Sequence, residues 1–143
     1  MDSPPFFLTR DDVLEYHDEQ IKLYGGLNGI GDSGLLDSAM AAPENLFSYD
    51  EEADLFDIAT RYAFHISENQ PFIDGNKRTG LQAAIGFLKG NDYAVETSEE
   101  NLFGWMESLA KGEISREEFS RHLRACSVRE RGLTKWLRTF FPV

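Results

Sequence analysis

The sequence predicts a single all-α domain, and three observations carry that prediction. Apolar residues recur at helical spacing along most of the 143 residues. Ser, Thr or Asp stands before several of those runs, and Gly, Asn or Pro follows them. Apolar content is 41 %, enough for one core in a chain of this length, and no repeat or low-complexity tract interrupts it.

Thr9-Arg10-Asp11-Asp12 opens the first helix, with Thr9 as cap and acids in the first turn, where the helix dipole favours them. Val13, Tyr16, His17, Ile21 and Tyr24 keep helical spacing, and Gly25-Gly26 stops the run. The stretch Gly25–Gly34 holds five glycines and reads as a flexible loop. A short helix, Leu35–Ala42, is expected to end before Pro43, with Asn45–Asp50 as a connection. Leu55, Ile58, Ala59, Tyr62, Ala63 and Ile66 form the cleanest stripe, and Pro71 forces that helix to finish near Asn69. A second strong helix begins near Asn76, shows Leu81, Ala84, Ile85 and Leu88 on one face, and ends at Gly90-Asn91. Tyr93-Ala94-Val95 reads as a short strand. Thr97 or Ser98 caps a helix with Leu102, Met106, Leu109 and Ala110 on its face, ended by Gly112. Ser115-Arg116-Glu117-Glu118 is a capping box for a last domain helix carrying Phe119, Leu123 and Cys126. Residues 1–127 are therefore read as the domain. Residues 128–143 read as a basic amphipathic tail, with Leu133, Trp136, Leu137 and Phe140 at helical spacing, which packs on the acidic core or docks a partner.

The formal net charge is −11, which argues against direct nucleic-acid binding, since phosphate backbones need clustered Lys and Arg. No apolar run approaches the ~20 residues of a membrane span, and Met1–Pro5 lacks the features of a signal peptide. Cys126 is the single cysteine, so no intrachain disulfide forms and a cytoplasmic location is expected.

The chemistry concentrates in Pro71–Thr79, between the two strongest helices. Gly75 permits a sharp turn, and the helix starting near Asn76 offers unpaired amides and a partial positive charge suited to phosphate. Lys77 and Arg78 lie in the first turn, a poor place for cations unless an anion meets them. Asp74 is a hard oxygen ligand beside that anion site, suited to Mg²⁺ shared with phosphates, and Asn76 offers an amide donor. From spacing alone, the same residues also fit a polar inter-helix loop with solvated charges and Asp74 as a helix cap.

Asn69-Gln70-Pro71-Phe72-Ile73-Asp74-Gly75-Asn76-Lys77-Arg78-Thr79 resembles the active-site motif of the Fic/Doc family, His-Pro-Phe-x-Asp-Gly-Asn-(Gly/Lys)-Arg. Leu23–Gly26, Gly29–Ala39 and Gly86–Tyr93 add residues similar to the death-on-curing (Doc) branch, and the likeness runs from about Phe7 to Leu123. The resemblance implies a helical core with the motif joining two central helices, and transfer of part of ATP, with Mg²⁺, to a protein hydroxyl. It assigns Asp74 to the metal, Gly75, Asn76, Lys77 and Arg78 to the phosphates, and Gly25–Gly34 to a flap that aligns the target. For the Doc branch it implies a toxin that transfers the terminal phosphate to a translation elongation factor and is held in check by an antitoxin. Two residues favour that branch over AMP transfer: Lys77 replaces the usual glycine, and Leu81 stands where AMP-transferring members carry a second arginine. Gly31 replaces an arginine common among relatives.

The motif's histidine, its general base, is here Gln70, which takes no proton near neutral pH. Three readings follow: an active enzyme in which Gln70 orients the hydroxyl, with Asp74 and Lys77 as its other catalytic residues; a natural nucleotide-binding pseudoenzyme; or an engineered inactivation. His65, five residues earlier, is rotated away from Gln70 on a helix and reads as a packing residue, as do His17 and His122.

Overall fold

The computed structural model describes residues 3–130. Along the chain run α1 (Arg10–Tyr24), α2 (Ser33–Tyr49), α3 (Leu55–Asn69), α4 (Asn76–Gly90), β1 (Tyr93–Val95), α5 (Glu99–Ala110), α6 (Arg116–Cys126) and β2 (Ser127–Arg129). The fold is the all-α domain that the helical periodicity predicts, with a single two-stranded ribbon among the described residues.

The two helices with the clearest stripes become the spine. α3 buries Ile58, Ala59, Tyr62, Ala63 and Ile66, and α4 buries Leu81, Ala83, Ala84, Phe87 and Leu88 against it. Each large apolar side chain removed from water contributes about 1.5–3 kcal/mol before entropy is counted. The two backbones meet at Gly80, where a Cβ would lie 2.7 Å from the Ala63 carbonyl oxygen. α1, α2, α5 and α6 pack around this hairpin. Capping fixes where the helices begin. Thr9 with Asp12, Asp54 with Asp57, and Ser115 with Glu118 are reciprocal capping boxes, and Arg124 of α6 reaches back to Asp54 with Nε at 2.8 Å.

Two boundaries differ from expectation. α2 starts at Ser33 with Asp32 as cap, so Gly34 is helical and the flap is shorter than predicted. The same helix runs through Pro43 to Tyr49, absorbing the expected stop after Ala42 and the expected connection Asn45–Asp50. An interior proline costs about 3 kcal/mol through its lost hydrogen bond and its clash with the preceding turn. Here Leu36, Ala39, Pro43 and Leu46 share one buried face and Phe47 packs beside it. Burial of Leu46, at about 1.5–3 kcal/mol, with a smaller share from the partly buried Phe47, offsets that cost.

The ribbon is antiparallel, with Tyr93 opposite Arg129 and Val95 opposite Ser127. Val128 and Arg129, the first residues of the predicted tail, therefore pair with the domain. The expected helix carrying Leu133, Trp136, Leu137 and Phe140 lies outside the described residues. Among the described residues, no helix is long and apolar enough to cross a membrane.

Candidate active site

The turn between α3 and α4 is held by its own backbone. Gln70 closes α3 in the left-handed conformation (φ 50°, ψ 56°), and Pro71 prevents any continuation. A non-glycine residue in that region carries strain that its surroundings must offset. The Asn76 side chain binds the Phe72 backbone twice: Phe72 N–H donates to Oδ1 at 2.9 Å, and Nδ2 donates to the Phe72 carbonyl at 2.9 Å. The buried Phe72 ring lies flat on His17, centroids 3.9 Å apart and planes 7° apart. His17 Nε2 donates to the Asp74 carbonyl at 2.8 Å, which fixes the imidazole proton on that nitrogen. Gly75 then turns the chain at φ 78° and starts α4 without any side-chain cap. The first-turn amides of α4 thus keep their donor capacity and their share of the helix dipole.

The flap 25–32 lies along this turn. Gly31 and Asp32 N–H groups donate to the Pro71 carbonyl at 2.8 and 3.0 Å, and Ile73 N–H donates to the Gly29 carbonyl at 3.1 Å. Asp74 Oδ2 accepts from Leu27 N–H at 2.7 Å. Arg78 Nη2 donates to the Gly25 carbonyl at 3.3 Å, and its guanidinium lies 5.1 Å from the Tyr24 ring centroid. Lys77 Nζ pairs with Glu107 Oε2 on α5 at 2.8 Å. That hydrogen bond, followed by the Lys77 charge, holds the Glu107 carboxyl below the usual carboxylate range.

Two cavities meet over the start of α4. One of about 510 Å³ is lined by Gln70, Asp74, Gly75, Asn76 and Lys77 together with Lys111 and Glu107. The other, about 470 Å³, shares Gly75, Asn76, Lys77 and Glu107 and continues over Arg78 to Tyr24, Leu81, Phe103 and Met106. They form one cleft, polar at the Gln70–Asp74 end and walled by aromatic and aliphatic side chains at the other. All the predicted site residues line it. Arg78 faces the apolar half alone, and Gln70 and Asp74 the polar half alone.

The Asn76 side chain is anchored to Phe72, and one amide hydrogen and the backbone N–H remain for the donor role expected of it. The N-cap is Gly75 and not Asp74, so the plain capping role weighed for Asp74 does not hold. Asp74 Oδ1 has no hydrogen-bond partner among the described residues, which leaves one carboxylate oxygen for a cation. A single carboxylate, with phosphates and water completing the shell, is a fitting donor set for Mg²⁺.

His65 lines neither cavity, and its Nε2 is buried without a partner among the described residues. His122 stacks on Trp105 at 4.6 Å. Sequence reasoning placed His17 in the core but missed its hold on Asp74, and it missed Glu107 altogether. The sole signal for Glu107 was an acid near the end of a helix, where the dipole disfavours it.

A family model described as the Fic/DOC family matches residues 7–88. A protein named Protein kinase doc, from Escherichia phage P1, is 32 % identical over 117 residues, covering 82 % of this chain and 92 % of that protein. A protein named Toxin Doc, from Mycolicibacterium smegmatis, is 34 % identical over 101 residues, covering 66 % of this chain and 75 % of that protein. Motif, helical spine and relatives agree: the chain belongs to the Fic/DOC family, in its Doc branch.

Proposed function

We propose that this protein is a Doc-like toxin of a toxin–antitoxin pair that transfers the terminal phosphate of ATP to a hydroxyl of a target protein. The names of the two relatives, a kinase and a toxin, support the class of activity. The observation that carries the reading is the polarity of the cleft. A nucleotide base suits the half walled by Tyr24, Leu81, Phe103 and Met106, and a triphosphate suits the cationic stretch over the α4 amides, Lys77 and Arg78. The terminal phosphate then lies at the Gln70–Asp74 end, beside the flap. Leu81 matters because a second arginine in its place would add a cation to the wall that holds Arg78 and draw phosphate deeper into that half. This is the argument against AMP transfer.

Within this reading Gln70 accepts the hydrogen bond of the target hydroxyl and aims its oxygen at phosphorus. The hydroxyl proton leaves to solvent, since an amide does not take it. The backbone amides of Gly75 and Asn76, with Lys77 and Arg78, hold the phosphate oxygens. Asp74 Oδ1 would hold Mg²⁺, which neutralises developing phosphate charge when bound. The flap aligns the target segment along the motif, and a translation elongation factor is the target class implied by the branch. Inhibition is assigned to a separate antitoxin, and contact with DNA occurs only through that partner. The cytoplasm is the proposed compartment.

Incubation of the protein with a cell extract, Mg²⁺ and ATP labelled at either the γ or the α phosphate tests the reaction. The expected result is a protein band labelled from γ alone, strengthened ~10²–10⁴-fold by Gln70→His. Labelling from the α phosphate would establish AMP transfer instead. Gln70 itself favours a second reading, an impaired nucleotide-binding module. No label from the chain with Gln70, with label appearing in Gln70→His, would leave that reading in place.

A further inference from the structure

Glu107 occupies an unusual place. Gly75, Asn76 and Lys77 belong to the phosphate-facing turn, and among the described residues Glu107 is the one outside it that lines both halves of the cleft. It stands where the polyphosphate would cross from the apolar half to the polar half, and it is an anion. Its Oε2 lies 2.8 Å from Lys77 Nζ, and its Oε1 lies 3.5 Å from Lys111 Nζ.

The two helix ends explain the contact. Lys77 sits in the first turn of α4, where the dipole disfavours a cation, and Glu107 sits in the last turn of α5, where it disfavours an anion. Each relieves the other across the cleft. Lys111, four residues on, sits at the C-terminal cap of α5, where a cation is favoured. Glu107 therefore has a second partner within reach that does not depend on Lys77. The Lys77 and Glu107 side chains are 49 % and 44 % exposed, so the pair is screened by water and exchanges readily. A phosphate, carrying more charge and more acceptor oxygens, competes well for Lys77.

We infer that Glu107 is a resident anion of the phosphate site: it holds Lys77 in place in the nucleotide-free protein and hands it to the nucleotide by moving fully onto Lys111. The inference rests on the phosphate role given to Lys77 above. It makes Glu107 a positioning residue that sets nucleotide affinity, with no contact to the reacting atoms.

The test is calorimetric titration of Mg–ATP into the whole chain, for the natural protein, Glu107→Gln, Lys111→Met and the double variant. Glu107→Gln should bind about 1.5-fold to fivefold more tightly, the range of one exposed ion pair. Glu100→Gln, the same charge change two turns back on α5, should gain clearly less. Lys111→Met should weaken ATP binding when Glu107 is present and change little in the Glu107→Gln background. Unchanged or weaker binding by Glu107→Gln would overturn the inference and leave Glu107 as a strut between α4 and α5, without touching the proposed function. An equal loss from Lys111→Met in both backgrounds would overturn it too, because Lys111 would then meet the phosphate directly. No ATP binding by any of the four proteins would overturn both this inference and the phosphate site it rests on.

Discussion

His65 shows how one side chain couples the core to pH. It lies on α3 beside Phe64, with its Nε2 buried and unpartnered among the described residues. Burial, and then the charges of Arg61 and Arg116, push its pKa below the ordinary value of 6.5. The folded protein thus resists a proton that the unfolded chain accepts near pH 6.5. Its contribution to stability is complete above about pH 6.5 and falls as the pH drops from there toward the lowered folded value. Melting temperature measured between pH 7.5 and 5.5 should decline across that window in the natural protein and decline less in His65→Gln. Parallel curves for the two proteins would assign the loss to other groups. His17, by contrast, is buried yet fully employed, stacked on Phe72 and bonded to the Asp74 carbonyl. Two histidines that look alike in the sequence therefore do different work, one half-buried with its Nε2 unpartnered among the described residues and one as a brace of the motif turn.

At the scale of elements, the α3–α4 hairpin depends on how closely its two backbones approach. Ala63 and Gly80 are both buried, and a Cβ on Gly80 would come within 2.7 Å of the Ala63 carbonyl oxygen, a backbone atom that has no rotamer to change. Gly80→Ala should destabilise the domain by about 1–3 kcal/mol, despite the higher helix propensity of alanine. Urea denaturation measures the loss directly, and a variant as stable as the natural chain would show that the hairpin can open without cost. The helices were largely legible because their stripes and caps are local: Thr9, Ser98 and Ser115 each cap where the sequence places them or within a residue of it. Pro43 was misread because its effect is decided by what α2 buries, which no local window contains. The motif turn was legible for the same local reason as the caps. Its supports were not: His17 to Asp74 spans 57 residues and Lys77 to Glu107 spans 30, and only the packing of α1 and α5 against α4 brings these pairs together.

Across the whole molecule, the flap and the motif turn form a joint in which the candidate nucleotide residues also hold the flap. Asp74 takes the Leu27 amide, and Arg78 takes the Gly25 carbonyl while covering Tyr24. The remaining links, from the Pro71 carbonyl and Ile73 N–H, are backbone bonds that no side-chain change removes directly. Beyond these, Asn28 Nδ2 donates to Asp18 Oδ1 of α1 at 3.2 Å, and burial adds little, since Leu27 is 67 % exposed and Ile30 39 % exposed. A carboxylate bond to an amide is worth about 1.5–3 kcal/mol where water is excluded, and less at an exposed site such as this one. Asp74→Ala should therefore speed hydrogen exchange of the Leu27 amide and its neighbours in 25–32 by about tenfold, the equivalent of ~1.4 kcal/mol. Exchange in α3 and α4 should stay as slow as in the natural protein, because the Asp74 side chain has no part in their core. Asp74→Asn, which keeps an acceptor oxygen but not the charge, should fall between the two. Mass-spectrometric exchange of peptides covering the flap and the hairpin separates these outcomes. Unchanged flap exchange in Asp74→Ala would mean that the backbone bonds, with Arg78 and Asn28, fix the flap without Asp74. Faster exchange throughout the domain would mean that Asp74 supports the fold itself, and the division of labour between spine and flap would fail.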